Sequence, residues 1–322
     1  MPASNPNHLT LLQKNGYVII PSLLPPSTLQ TLKQVSQTAT SLARSGSWPF
    51  FRTVPKQFPP WPTNTPPPAS EGGIWGAQHL LHPDMPGREE FARFYFSEEV
   101  LGVVEGLIGV DSTHTTDDGD GSGEKLVMEL FNLLIAPETK DFELRWHRDD
   151  IPSDISPSEE KRLLDSKSPG GRQSHAQYNL ALLPDTSLIV VPGSHRRVRT
   201  DEERNADPFE GNLPGQVVVE LKPGDAVFYD SNILHRGVYK AKEEGGEEIR
   251  LTLHGSVGVK EQEGKGDGGD KKVRATAVLQ HGVGAWVQRE DAAFGIGGRA
   301  ERMRANLVAM GSGEGVGYSL QG

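Results

Sequence analysis

Residues 221–237 read LKPGDAVFYDSNILHRG. Pro223-Gly224-Asp225 is a tight turn, in which proline presets one dihedral, glycine takes the left-handed conformation and aspartate bonds nearby backbone. Ala226–Tyr229 is an apolar run of strand character. His235 then stands near the start of the next strand, with Gly237 just beyond it. The order sets an imidazole at one end of a β-sheet, facing whatever else reaches that end.

A second stretch supplies a partner. Residues 144–150 read LRWHRDD, after an apolar run. If 142–149 is a strand, side chains alternate faces. Leu144 and Trp146 then share one face, and Arg145, His147 and Asp149 the other. Asp150 points away and suits the following turn. An H-x-D step on a strand aims an imidazole and a carboxylate at one point. Alone the step is weak, because ten histidines and 43 acids in 322 residues produce about one such step by chance. His82-Pro83-Asp84 is another, in a proline-rich, turn-like setting. Joined to His235, His147 and Asp149 complete the two-histidine, one-carboxylate set that holds Fe(II) on one face and leaves positions open. Turn, strand and histidine in this order are the layout of the distal ligand in a double-stranded β-helix, where strands remote in sequence meet across a barrel.

Composition agrees with that chemistry. There is no cysteine, so disulfides and thiolate metal sites are excluded, and a metal must be held by His, Asp or Glu. A net charge of -10 argues against a broad nucleic-acid or anionic-membrane surface. No run of apolar residues is long enough to span a membrane. The opening MPASNPNHLT has no signal-peptide pattern and the closing GYSLQG no peroxisomal tripeptide, so a cytoplasmic location is expected. Oligomeric state is not legible.

Along the chain, 9–14 suits a short helix and GYVIIPSLL a strand. A helix begins at Pro26 or Ser27, carries Leu29, Leu32, Val35 and Leu42 on one face, and stops at Gly46. Residues 48–87 are rich in proline and aromatics, including Trp48, Phe50, Phe51, Phe58 and Trp61, and are expected to pack on the main body. Residues 87–109 read as two helical stretches split near Ser97, and 111–124 as an acidic loop. From 125 the texture is β, in short runs separated by turn residues. Residues 261–272 read as a loop, VRATAVLQ at 273–280 as a last strand, and the tail as partly helical. The expected architecture is α+β: one domain with a helical and loop region at 1–124, a jelly-roll core at 125–260 and a C-terminal extension at 261–322.

Other residues have two readings each. Arg250, in EEIRLTLHG, suits the far carboxylate of a dicarboxylate, or pairs on the surface with Glu247 or Glu248. Gln177 and Asn179 alternate on one face of SHAQYNLAL, and with Asn132 they either bond a co-substrate or line a polar barrel. His195 suits structural bonds in its turn better than a metal. RRVRTDEER at 196–204 is a charge run, solvated or facing an anionic substrate. GIGGRAERM at 295–303 lacks the strand and Lys-Ser/Thr of a phosphate loop and reads as a loop before a helix.

Taken in order, LQKNGYVIIPSLLPPSTLQTL, WHRDD, LIVVPGSH, LKPGDAVFYDSNILHRG and IRLTL resemble the phytanoyl-CoA dioxygenase family of Fe(II)/2-oxoglutarate oxygenases, over roughly residues 10–260. The P-G-S-H turn is the most specific piece. The resemblance implies a double-stranded β-helix with His147, Asp149 and His235 as metal ligands and Arg250 as the anchor of 2-oxoglutarate. The family's arginine follows the distal histidine more closely. KAKEEGGEE looks like an inserted hairpin between the two, which leaves Arg236 as the other candidate.

The implied activity uses Fe(II), 2-oxoglutarate and O2 to oxidise a C–H bond of a small molecule, releasing succinate and CO2. A retained Asp149 implies hydroxylation rather than halogenation. The competing readings are a non-enzymatic jelly-roll binding module and a cupin-like metalloenzyme without 2-oxoglutarate, which leaves Arg250 idle. An oxidising site needs shielding from water. Residues 48–87 are therefore expected to fold over the barrel mouth, with Trp75, Gln78 and His79 nearest the substrate, unless these aromatics only cover the outside of a sheet.

Overall fold

The computed structural model describes residues 6–57, 61, 65–110, 124–167, 173–243, 245–260 and 268–311. Phe58, the acidic loop up to residue 123 and residues 261–267 of the later loop lie outside the described residues.

Two antiparallel sheets form the centre. The larger joins β1 (Tyr17–Ile20), β9 (Ala226–Tyr229), β6 (His175–Ala181), β11 (Leu251–Val259), β4 (Leu126–Ile135), β3 (Ile74–Ala77) and β2 (Phe51–Thr53) in that order. The smaller runs β5 (Phe142–Glu143), β10 (Leu234–Tyr239), β7 (Leu188–Val191) and β8 (Val217–Val218). This is the jelly-roll expected from the turn-and-strand pattern, but β1, β2 and β3 come from the first 124 residues and extend the same sheet.

Period-two alternation sorts the side chains of the larger sheet. Phe131, Leu133, Ala176, Tyr178, Leu180, Leu251, Leu253 and Val257 enter the main core. Leu130, Leu134, Gln177, Asn179, His254 and Ser256 face a cavity between the sheets.

Helices cover the core face. α1 (Pro6–Asn15) leads into β1, and α2 (Pro26–Arg44) buries Leu32, Ser36, Ala39, Thr40 and Ala43 at helical spacing. Leu29, Val35 and Leu42 only flank that stripe. α3 (Arg88–Tyr95) and α4 (Glu98–Ile108) divide at Ser97, whose hydroxyl caps α4 by accepting from Val100 N at 3.4 Å. Two short helices, α5 (Pro157–Lys167) and α6 (Asp201–Asn205), flank the smaller sheet's loops.

At the C-terminal end, α7 (Gly268–Gln280) and α8 (Gly298–Met310) close the fold. Residues 273–280 are thus helix, not the expected strand. The β-branched run suggested period two, but the buried positions here are Ala275, Thr276 and Val278, which do not alternate as a strand's would. α8 follows GIGG as expected and is held by Arg299, which reaches Glu98, Glu105 and Glu124.

Three other expectations change. Residues 48–87 are not only loop, since they include β2 and β3 at the sheet edge. The stretch 142–149 is a ladder only at Phe142–Glu143. Glu143 pairs with Val238 but His147 bridges His235, so the first strand carries one extra residue, a bulge. Among the described residues, KAKEEGGEE forms a turn with no paired strands. No described helix is long and apolar enough to cross a membrane.

Candidate metal centre and cavity

The Pro223-Gly224-Asp225 turn forms as its chemistry dictates. Gly224 has φ +92°, Asp225 accepts from Lys222 N at 3.0 Å and from Ser22 N at 2.8 Å, and the chain enters β9. β10 then starts with His235 near its end. Backbone bonds of 3.0 Å in both directions join His235 to His147 across the bulge, and Asp149 N donates to Ser231 O at 2.8 Å. The bulge leaves His147 and Asp149 on one side and brings the triad together.

The Nε2 atoms of His147 and His235 lie 3.5 Å and 3.6 Å from Asp149 Oδ1. All three side chains offer ligand atoms within 4.8 Å of one another. Ligand bonds of about 2 Å put the donors of one metal face about 3 Å apart, so small side-chain adjustments close this set on an ion. The imidazoles are pre-oriented. His147 Nδ1 lies 2.7 Å from Arg145 O and His235 Nδ1 2.8 Å from Ile233 O, which puts the proton on Nδ1 and turns each Nε2 towards Asp149.

Burial, and then the neighbouring His147, lowers the His235 pKa to about 4, so the ring is neutral at neutral pH as a ligand must be. Burial pushes the Asp149 carboxyl up. The two imidazoles and a 2.8 Å bond from Gln177 Nε2 to Oδ2 outweigh it, so the carboxylate stays ionised.

Beneath the triad lies a residue that sequence reasoning passed over. Arg148 is 0% exposed. It donates to Glu160 at 3.1 Å, to Ser194 O at 3.0 Å, to Arg197 O at 3.0 Å, and to Asn232 O. It thus ties the metal-loop backbone to the P-G-S-H turn and to the segment ahead of His235. Arg199 and Arg204 converge on the same Glu160, so the charge run at 196–204 is in part a buried network rather than a solvated strip. His195 plays the structural part expected, with Nε2 3.1 Å from Gln13 O.

The triad opens on a cavity of about 480 Å³. Arg250 lines it. Its Nε pairs with Asp185 at 3.2 Å, its guanidinium lies 4.2 Å from the Tyr239 ring centre, and among the described residues its buried Nη1 has no hydrogen-bond partner. Glu248 pairs with Arg44 instead, at 2.8 Å. Arg236 turns away to Phe209 O at 2.7 Å and to Glu143 at 3.4 Å, and does not line the cavity. Gly237 keeps the wall clear, because a Cβ there would collide with the Tyr239 hydroxyl.

Gln177 and Trp75 line the cavity, and Asn179 does too, bonded to His254 at 2.8 Å. Asn132 does not line it; its Oδ1 accepts from His79 N at 3.0 Å. Gln78 and His79 are buried outside the cavity lining, and the Gln78 carbonyl accepts from Trp48 Nε1. The lid expectation fails for those two residues, because after β3 the chain turns at His79, φ +60°, into the aromatic packing of Phe50 and His82. Arg52, Gln57 and Trp61 of the same segment reach the cavity in their place. α7 adds Val273, Arg274, Ala277 and Val278, with His281 just beyond, a wall hidden from a reading that made this stretch a strand.

The sequence matches the family model of phytanoyl-CoA dioxygenase over residues 12–238. No curated protein matches it. Among solved structures the fold is similar to AviO1 from Streptomyces viridochromogenes Tue57, with 16% identity and a TM-score of 0.50, over 78% of this chain and 93% of that one. It is also similar to EctD from S. alaskensis with 2-oxoglutarate and 5-hydroxyectoine, with 18% identity and a TM-score of 0.52, over 80% of this chain and 77% of that one. With most of its length matched by the family, and a two-histidine, one-carboxylate cluster where the jelly-roll strands converge, the chain belongs to the phytanoyl-CoA dioxygenase family of Fe(II)- and 2-oxoglutarate-dependent oxygenases.

Proposed function

We propose that His147, Asp149 and His235 hold Fe(II), that Arg250 grips the far carboxylate of 2-oxoglutarate, and that the enzyme hydroxylates a C–H bond of a small molecule. One observation supports the ligand assignment: both Nδ1 atoms are engaged by backbone carbonyls, so both Nε2 atoms are turned towards Asp149 Oδ1. Bound Fe(II) supplies the oxidation, in which substrate, O2 and 2-oxoglutarate become hydroxylated substrate, succinate and CO2.

The protein's residues do the rest. Asp149 fills the carboxylate position, which favours hydroxylation over halogenation. Gln177 holds the other Asp149 oxygen in place. Asp185, bonded also by Ser187 N at 2.8 Å, fixes the Arg250 guanidinium so that its partnerless Nη1 is ready for a carboxylate oxygen. Trp61, Trp75, Leu130, Leu134 and Val278 supply apolar cavity surface that limits water. On this reading the chain is one oxygenase domain, since strands from its first third and α7 from its last part serve the same sheet and cavity.

The test is an anaerobic titration of the Fe(II) protein with 2-oxoglutarate. The expected result is the weak visible charge-transfer band of the chelate, and succinate formation once air and a substrate are supplied. Fe(II) binding with no band and no 2-oxoglutarate affinity would instead favour a metalloenzyme that does not use this co-substrate.

A further inference from the structure

The cavity contains a guanidinium that the proposed reaction does not use. Arg52 lies on β2 and lines the cavity. Its Nε is sealed from solvent and, among the described residues, has no hydrogen-bond partner. Among the described residues no carboxylate or carbonyl accepts from this guanidinium. Its neighbours are the rings of Trp61 and Trp75, with centres 5.6 Å and 5.0 Å away. Arg52 is half-buried, and cation–π attraction is weaker than the hydration its sealed Nε gives up, so these rings alone leave the charge under-compensated. Burial lowers the Arg52 pKa to about 10, and the group remains a cation at neutral pH.

The other two arginines on the cavity wall each have a carboxylate partner within the chain. Arg250 pairs with Asp185, and Arg274 forms a two-pronged pair with Glu129 at 2.7 Å for each bond. Trp75, beneath Arg52, stacks on Tyr239 at 5.4 Å and 18°, and Tyr239 carries Arg250. Two cations therefore border one aromatic wall. The Arg250 end suits the co-substrate, and the Arg52 end is left for a second anion.

We infer that Arg52 binds the anionic group of the primary substrate, a small organic acid with an apolar body; this rests on the reading of the site given above. Trp61, Trp75 and Leu134 would take the apolar body. About 480 Å³, shared with 2-oxoglutarate, is at the small end of ligand pockets.

Benzoate and benzamide make the probe pair, because they share shape and ring but differ in charge. Each is titrated by calorimetry into Mn(II)-loaded protein, with and without saturating 2-oxoglutarate. Wild type is expected to bind benzoate about tenfold or more tightly than benzamide. Arg52→Gln should erase the preference, and Arg52→Lys should keep part of it. In the Fe(II) protein, Arg52→Gln should leave 2-oxoglutarate affinity within about twofold of wild type.

Equal binding of the two probes, no binding of either, or a preference surviving Arg52→Gln overturns the inference. So does a fall in 2-oxoglutarate affinity matching that of Arg250→Ala, which would place Arg52 in the co-substrate site. Failure of the underlying reading looks different: wild type would bind no 2-oxoglutarate, while the benzoate preference could still be scored without it.

Discussion

Arg148 and Arg52 are both guanidiniums whose pKa burial lowers to about 10, yet they do opposite things. Arg148, behind the metal loop, meets Glu160 and three backbone carbonyls. Arg52, across the cavity, faces the rings of Trp61 and Trp75, and among the described residues its sealed Nε has no hydrogen-bond partner. Burial alone does not tell a structural charge from a functional one. A charge whose donors are all engaged within the chain holds the fold, and one whose donors are idle in a cavity is available to a ligand.

The strongest way to sharpen this contrast is to remove the ligands between the two regions. His147→Ala or His235→Ala should abolish Fe(II) binding, measured by metal content after desalting, with little change in circular dichroism. Iron retention like that of wild type would show that the triad is not the metal site.

Arg148→Ala comes next. Deleting one partner of a buried pair typically costs about 3–5 kcal/mol. Here it also frees three backbone segments that support His147 and His235. Denaturant unfolding should show a loss of that size, whereas Arg52→Gln should change stability by less than about 1 kcal/mol. Equal losses for the two variants would break the comparison.

Arg250→Ala should weaken 2-oxoglutarate by roughly thirtyfold or more, from an expected cost of about 2–5 kcal/mol, with Fe(II) affinity retained. A titration showing unchanged co-substrate affinity would move the anchor elsewhere.

Acid should act on both regions. Burial depresses the pKa of His195, beside the Arg148 network, and of His281, on the cavity wall, each to about 4, against an ordinary 6.5. A depressed folded-state value means that the unfolded chain binds more protons between those limits. Stability should therefore fall as pH drops from 6.5 towards 4, and His195→Gln should flatten part of that slope in thermal unfolding. An unchanged slope would show that His195 does not contribute.

The smallest effect belongs to Gln177→Ala. Losing the bond that orients Asp149 should weaken metal binding by roughly tenfold, without unfolding. An unchanged metal affinity would reduce Gln177 to cavity lining.

The parts legible in the primary structure rest on short-range rules. The turn at Gly224 and the helix break at Ser97 follow from local dihedral preferences, which neighbouring residues largely set, whereas the H-x-D pair was legible as a pair but is placed by a bulge against His235 and Ser231. The jelly-roll and the family follow from the order of those pieces.

What was not legible depends on partners remote in sequence. VRATAVLQ has residues for strand or helix, and its packing against α8 and the sheets made it helix. Gln78, His79 and Asn132 bear side chains fit for a cavity, but His79 turned away, and Asn132 took its backbone N–H as partner. Arg148 and Arg52 are chemically the same residue. One became a brace because Glu160, Ser194 and Asn232 converged on it, and the other stayed unpaired because β2 reached the cavity where Trp61 and Trp75 were its neighbours. Residue type and local pattern give each side chain its chemistry, but the folded surroundings determine how much of it is satisfied internally.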